Sequence, residues 1–289
     1  MKLSFIWRKL PRIASSKRRF LNSLFSLGVV LSAILVVAPL FIILVSVAIK
    51  GGRALNLDFF LSLPKAVGES GGGIANAIVG TLLMVGTGLL FSIPIGVASG
   101  VFLATTSNKR LSAIVRTSAD CLAGVPSIVT GLFVYALLVV PFKRFSGFAG
   151  AVALSIIMLP TITRTTEEVV RMVPHDLFES AIALGAKRWQ AVFRVVLPTA
   201  GRGILAGFIG AASRAMGETA PLMFTAFGSH FLNLNPFEPV SAIPLVIFNY
   251  AISPYEDWQQ KAWAASLVLT FLVLGGIIVS RRLVYGRFG

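Results

Sequence analysis

Five charged positions lie where charge is hardest to keep. Arg214 and Glu218 stand four residues apart inside an otherwise apolar stretch, a spacing that would place both on one face of a continuous helix. Guanidinium is apt chemistry for a tetrahedral oxyanion, because its planar fork makes two charge-assisted hydrogen bonds. Glu218 would then neutralise Arg214 whenever no anion is bound. Arg164, which follows Met158-Leu159-Pro160-Thr161-Ile162-Thr163, is a second candidate on such a path. Arg116 and Asp120 form another i,i+4 pair, read as an anchor and a structural pair. Covalent catalysis finds little support. His175 and His230 fall on opposite sides of the inferred membrane, Cys121 has no evident base, and no H-E-x-x-H motif occurs. An intramembrane enzyme is therefore disfavoured.

Those residues need elements to hold them, and the composition says which. The chain has 289 residues, 56% hydrophobic and only 13% charged, yet Lys and Arg outnumber Asp and Glu by 26 to 11. Few charges with a net +15 exclude a disordered chain and argue against a soluble nucleic-acid binder. A single cysteine excludes a disulfide scaffold. Residues 20–49, 70–108, 121–142, 145–163, 219–237 and 262–280 contain no Asp, Glu, Lys or Arg. A helix needs about 20 apolar residues to cross ~30 Å of hydrocarbon. The sequence thus predicts an all-α integral membrane protein with six spans, near 22–48, 76–104, 112–140, 146–163, 204–227 and 262–283.

Segment 239–255, with Pro239, Pro244 and Pro254, reads as an outside loop with a short helix. Segments 1–21, 105–116, 161–202 and 281–289 together hold 19 of the 26 basic residues, so both termini are expected to be cytoplasmic. The division expected is a basic tail at 1–21, a first span and outside loop at 22–70, and a core at 71–289. Within that core the cytoplasmic loop is 164–202. The N-terminus mimics a signal peptide, but its apolar stretch is too long to be one; it reads as an uncleaved span. Gly96 and Gly100, four apart, suit close helix packing.

The loop carries a partner signal. Pro174 suits a first helical turn, Asp176 and Glu179 favour its positive end, and Gly185 suits its C-terminal end. A short helix follows, with Leu177, Phe178, Ala181, Ile182 and Leu184 as an apolar face. That face either lies on the membrane interface or inserts into a groove on a partner. A second helix is expected from Lys187 to Leu197, stopping at Pro198.

Glu179-Ser180-Ala181, Gly185 after three further residues, and Val195-Val196-Leu197-Pro198 nine residues later resemble the EAA loop of ABC importer permeases, E-A-A-x₃-G-x₉-I-x-L-P. Ser180 for Ala and Val195 for Ile are mild departures. The resemblance implies the type I importer (MetI-like) fold and docking of Leu177, Phe178, Glu179, Ser180, Ala181, Ile182 and Gly185 on an ATPase. It implies no cofactor on this chain: ATP and Mg would sit on the partner, and no G-x₄-G-K-[ST] loop occurs here.

Segment 213–222, containing Arg214-Ala215-Met216-Gly217-Glu218-Thr219-Ala220-Pro221, is similar to phosphate permeases. Segments 71–82, 124–129 and 262–267 are similar to their PstA branch rather than to the sister PstC. The implied partners are PstC, two PstB ATPases, the binding protein PstS and inorganic phosphate, in a multi-pass inner-membrane assembly. The implied path residues are Arg214 and Arg164. Other oxyanions, such as phosphonate or molybdate, and a secondary transporter working alone are the alternatives. Residues 1–20 carry no such motif and are left unassigned.

Overall fold

Long charge-free runs make the helices here, and proline and glycine end or bend them. The computed structural model describes residues 16–66, 69 and 71–285; the first fifteen residues of the expected tail lie outside them. Thirteen helices follow in order among the described residues: α1 (Ser16–Ala54), α2 (Leu57–Leu61), α3 (Ala75–Thr105), α4 (Lys109–Gly124), α5 (Ser127–Val134), α6 (Val140–Phe142) and α7 (Gly147–Arg171). Then come α8 (His175–Ala183), α9 (Arg188–Ala191), α10 (Leu197–Met216), α11 (Ala220–Thr225), α12 (Ile243–Ala251) and α13 (Glu256–Tyr285).

The chain forms two units, residues 1–49 and 50–289. In the first, the large apolar side chains of α1 are exposed from Phe20 to Ile43, as expected of a helix apolar on every side. The rest of α1, α2 and the segment up to residue 70, grouped by sequence with the first span, fall in the second unit.

Among the described residues five helices are long and apolar enough to span a membrane, or six if one bent pair counts as a broken span. Lys109–Gly124 and Ser127–Phe142 meet at 99°, so the continuous third span expected over 112–140 does not form. Pro126 is the reason. Its ring disfavours the helical region for the residue before it, and Val125 is extended at φ −70°, ψ 127°.

Proline has the opposite outcome at Pro198. The helix expected to stop there runs on, and Arg188–Met216 is one apolar rod. Residues Val192–Val196 form a π turn in which Leu197 N–H donates to Val192 O. That wider turn relieves the clash a proline ring makes with the carbonyl four residues back. Tyr135–Val139 is a second π turn, just ahead of Pro141. The fourth span is longer than expected, reaching Arg171 instead of 163.

The core of the second unit is the seam between α3 and α7. Alternate turns of α3 present glycine: Gly88 lies against Ala151 and Met158, Gly96 against Ile162, and Gly100 against Thr163 and Thr166. Without side chains the two backbones approach closely, as the Gly96 and Gly100 spacing led one to expect. Met84, Leu154, Met158, Ile162 and Leu222 fill the space beside the seam, each 2% exposed or less. Gly203 and Gly207 of α10 lie against Val169 and Thr165 of α7, so α7 and α10 run antiparallel. On the far side of α10, Ser280 of α13 donates to Ala206 O at 2.8 Å. Segment 239–255 holds the nine-residue α12 and is not among the candidate spans.

Candidate functional site

Helix α10 ends at Met216, eleven residues short of the expected span end at 227. Gly217 closes it, its N–H bonded to Arg214 O at 3.1 Å, and the chain resumes as α11 at Ala220. Gly217 and Pro221 supply the break, and Glu218 sits within it. The expected helical span over 204–227 is therefore interrupted, and Arg214 and Glu218 do not share a face of one helix. No ion pair joins them among the described residues.

The Arg214 side chain is exposed and makes no ion pair or hydrogen bond among the described residues. A charge on a spanning helix is costly against lipid, and such residues face a bundle interior or water. Its depth follows from the packing. Extrapolating from Gly203 against Val169 and Gly207 against Thr165, Arg214 is level with Met158, close to the middle of α7. Arg164 lies six residues nearer the α8 end of α7, about 9 Å along the axis at 1.5 Å per residue.

The second charge group is assembled across helices. Arg116 does not pair with Asp120 on its own helix as the spacing suggested. Its Nη2 donates to Glu167 of α7 at 2.5 Å, and Asp120 instead accepts from Arg164. Two residues of α4 thus meet two of α7 through two ion pairs. Glu167 also takes Arg171 at 2.9 Å, and Arg171 donates to Leu103 O of α3 at 3.1 Å. Glu167 is the buried member, its side chain 12% exposed, while the arginines are about half exposed. These groups line a cleft of about 220 Å³. Glu167 and Arg171 were missed by sequence reading. Their spacing of three and four residues from Arg164 and from each other was the available signal.

At the same end, α8 stands out from the bundle. Its expected start and end are found, with Gly185 at φ +90° reversing the chain. Phe178 turns inward and packs against Val170, Val196, Ala200 and Ile204. Leu177, Ile182 and Leu184 are exposed, Leu184 by 89%. Glu179 and Ser180 are exposed as well, and Glu179 meets His175 at 3.1 Å. So the expected docking set divides: Phe178 anchors the helix, Ala181 is half-buried, and Leu177, Glu179, Ser180, Ile182 and Gly185 are exposed. Beyond Gly185, Trp189 adds a further exposed aromatic surface.

Residues 92–285 match the family model for "Binding-protein-dependent transport system inner membrane component". The chain is similar to the phosphate transport system permease protein PstA of Haemophilus influenzae, 42% identical over 233 residues that cover 80% of this chain and 82% of that one. A similar match is PstA of Xylella fastidiosa strain 9a5c, 43% identical over 227 residues, 78% and 79% of the two chains. Among solved structures it resembles the inward-facing MetNI methionine ABC transporter, with a TM-score of 0.56 and 19% identity over 73% of this chain and 94% of that one. At that identity the likeness speaks for the fold alone.

Proposed function

Because this chain belongs to the binding-protein-dependent transport inner membrane components, and within them to the PstA permeases, we propose that it forms one half of the membrane path of an ATP-driven phosphate importer. Its family members are transport permeases and not enzymes. Arg214 carries the substrate reading: a guanidinium near mid-membrane, exposed on this subunit, with no carboxylate paired to it among the described residues. Such a group suits a phosphate oxyanion, to which it offers two parallel charge-assisted bonds. Being open, it can also let the ion go, as a permeation site must.

The path lies between this subunit and a sister permease, PstC. Two PstB chains hydrolyse ATP, using Mg bound to themselves, and PstS delivers phosphate from outside. The exposed face of α8 docks on one PstB. The charge distribution supports cytoplasmic termini, with the whole assembly in the inner membrane. Phosphate enters from the outer side, passes Arg214, then meets Arg164 about 9 Å further in. There Asp120 competes with it for the guanidinium.

The test is co-purification of the four components followed by phosphate uptake for wild type and Arg214→Ala. The expected result is intact assembly with uptake lowered about ten- to a hundredfold, the value of one charge-assisted hydrogen-bonded contact. Uptake that unlabelled phosphate fails to compete away would refute the substrate and favour another oxyanion.

A further inference from the structure

Three arginines line the cleft between α4 and α7, and they do not hold their anions equally. Arg116 and Arg171 share Glu167, whose side chain is 12% exposed. Taking away so buried a carboxylate strands its partners, so that group is fixed. Arg164 is held instead by Asp120, and both side chains of that pair are open, 51% and 44% exposed. Water and ions reach them, and a pair so placed is weak. Asp120 also rides on a lightly anchored helix. Of the sixteen residues of α4 only Ala119 is buried. Its last residue, Gly124, has nothing within 4 Å of an added Cβ, and it leads into the 99° corner.

Charge decides what an anion meets there. Arg116, Arg164 and Arg171 are matched by Asp120, Glu167 and Glu168, so the lining of the cleft is neutral as a whole. Glu168 is exposed and joins no ion pair among the described residues. A guanidinium released from Asp120 presents its fork to a phosphate; one that holds Asp120 does not. The cleft lies at the end of α7 next to α8, which on the proposed orientation is the inner side. An imported ion must leave from there, not settle.

We propose that Asp120 is a tethered anion that displaces phosphate from Arg164 and then keeps inner phosphate from binding back. The inference rests on reading Arg164 as a path residue of a phosphate importer. It adds how that last contact is broken and why it is not remade. Carboxylate and phosphate exchange on one guanidinium, with no proton transfer and no covalent step. A competitor carried on the same chain acts at a fixed effective concentration, so it needs no tighter bond than phosphate makes. Glu167 cannot serve in its place, because it is buried and already shared by two arginines.

The test uses the whole complex in proteoliposomes, with ATP inside and phosphate-loaded PstS outside, so that only complexes whose ATPases face the lumen run. Initial uptake of labelled phosphate is measured against rising unlabelled phosphate inside. In Asp120→Asn the inner concentration that halves uptake is expected to fall about fivefold from wild type, the upper value for a half-exposed pair. Asp120→Glu, which keeps the carboxylate, is expected to restore resistance. A merely structural Asp120 would scale uptake down alike at every inner concentration and leave the halving concentration where it was; that result overturns the proposal. So does equal sensitivity in Glu168→Gln, which removes the same charge from the cleft but not from Arg164. Should Asp120→Asn fail to assemble, the smaller Asp120→Ser carries the same test. Wild-type uptake in Arg164→Gln would overturn the path reading and the proposal with it. Lowered uptake in Arg164→Gln, with unchanged inhibition in Asp120→Asn, would overturn the proposal alone.

Discussion

Gly100→Ala puts the packing of α3 on α7 to a quantitative test. A Cβ at position 100 would stand 2.6 Å from Thr163 O, 2.6 Å from Thr166 Cβ and 2.9 Å from Glu167 N. Comfortable carbon contacts are about 3.5–4.0 Å, so the helices must part by roughly 1 Å. No side chain can simply swing aside. Two of the three atoms are backbone, and Thr166 is fully buried at 0% exposure. Alanine gains about 1 kcal/mol over glycine in a helix, but overpacking a close-packed seam costs about 1–3 kcal/mol. Displacing Glu167 also loosens its two arginine bonds, each worth about 1.5–3 kcal/mol when intact. The expected net loss is about 2 kcal/mol, which lowers the melting temperature of the purified complex by several degrees. Gly86→Ala is the control, because nothing lies within 4 Å of its added Cβ; it should melt with wild type or slightly above. If Gly100→Ala melts as high as Gly86→Ala, the tight seam described here is wrong.

Three further outcomes follow from the same geometry. Glu167→Gln is expected to cost about 2 kcal/mol by leaving Arg116 and Arg171 without their shared anion. Combined with Arg116→Gln, its loss of melting temperature should be less than additive, which a double-mutant cycle measures. Glu218→Gln is expected to change phosphate uptake while all subunits still co-purify; loss of co-purification would instead make Glu218 an assembly residue. At α8, Leu184→Asp should reduce recovery of PstB without lowering the melting temperature. Phe178→Ala should lower the melting temperature by removing a partly buried ring, at about 2 kcal/mol.

Much of this was readable from local signals, and the failures are non-local or competing ones. Helix α8 was legible because Pro174, Asp176 and Gly185 act within a turn of its ends. The spans were legible because charge-free length needs no knowledge of neighbours. The pairing of Arg116 with Glu167 and of Arg164 with Asp120 was not. Those partners are 51 and 44 residues apart, and only the packing of α4 on α7 chooses them over the nearer i,i+4 partner. Helix breaking was read in the wrong direction three times, at Pro126, Pro198 and Gly217. At Pro198 a π turn absorbs the missing N–H and the helix continues. At Gly217 the break was overlooked because the residues beyond it are as apolar as a span should be.

The corrected geometry also gives the coupling reading a mechanical basis. Helix α8 lies directly between α7 and the rod that contains α10, and those two helices carry Arg164 and Arg214. Gly203 and Gly207 lock α7 and α10 side by side, while the glycine seam locks α7 to α3. On the proposed docking of α8, a push on its exposed face would reach all three helices together, with Phe178 as the point of attachment. What such a body can move against is α4, which leaves the broken span at the 99° corner before Pro126 and touches α7 through ion pairs at its exposed face. Arg116–Glu167 and Asp120–Arg164 are the contacts that a relative shift would break. Arg164 and Asp120 are about half exposed on both sides of their pair, whereas Glu167 is 12% exposed, so the Asp120–Arg164 pair is the cheaper one to break. One of the arginines freed is Arg164, the candidate for receiving the anion on the inner side. On the proposed reading, movement at α8 and release of a binding group for phosphate are then the same event.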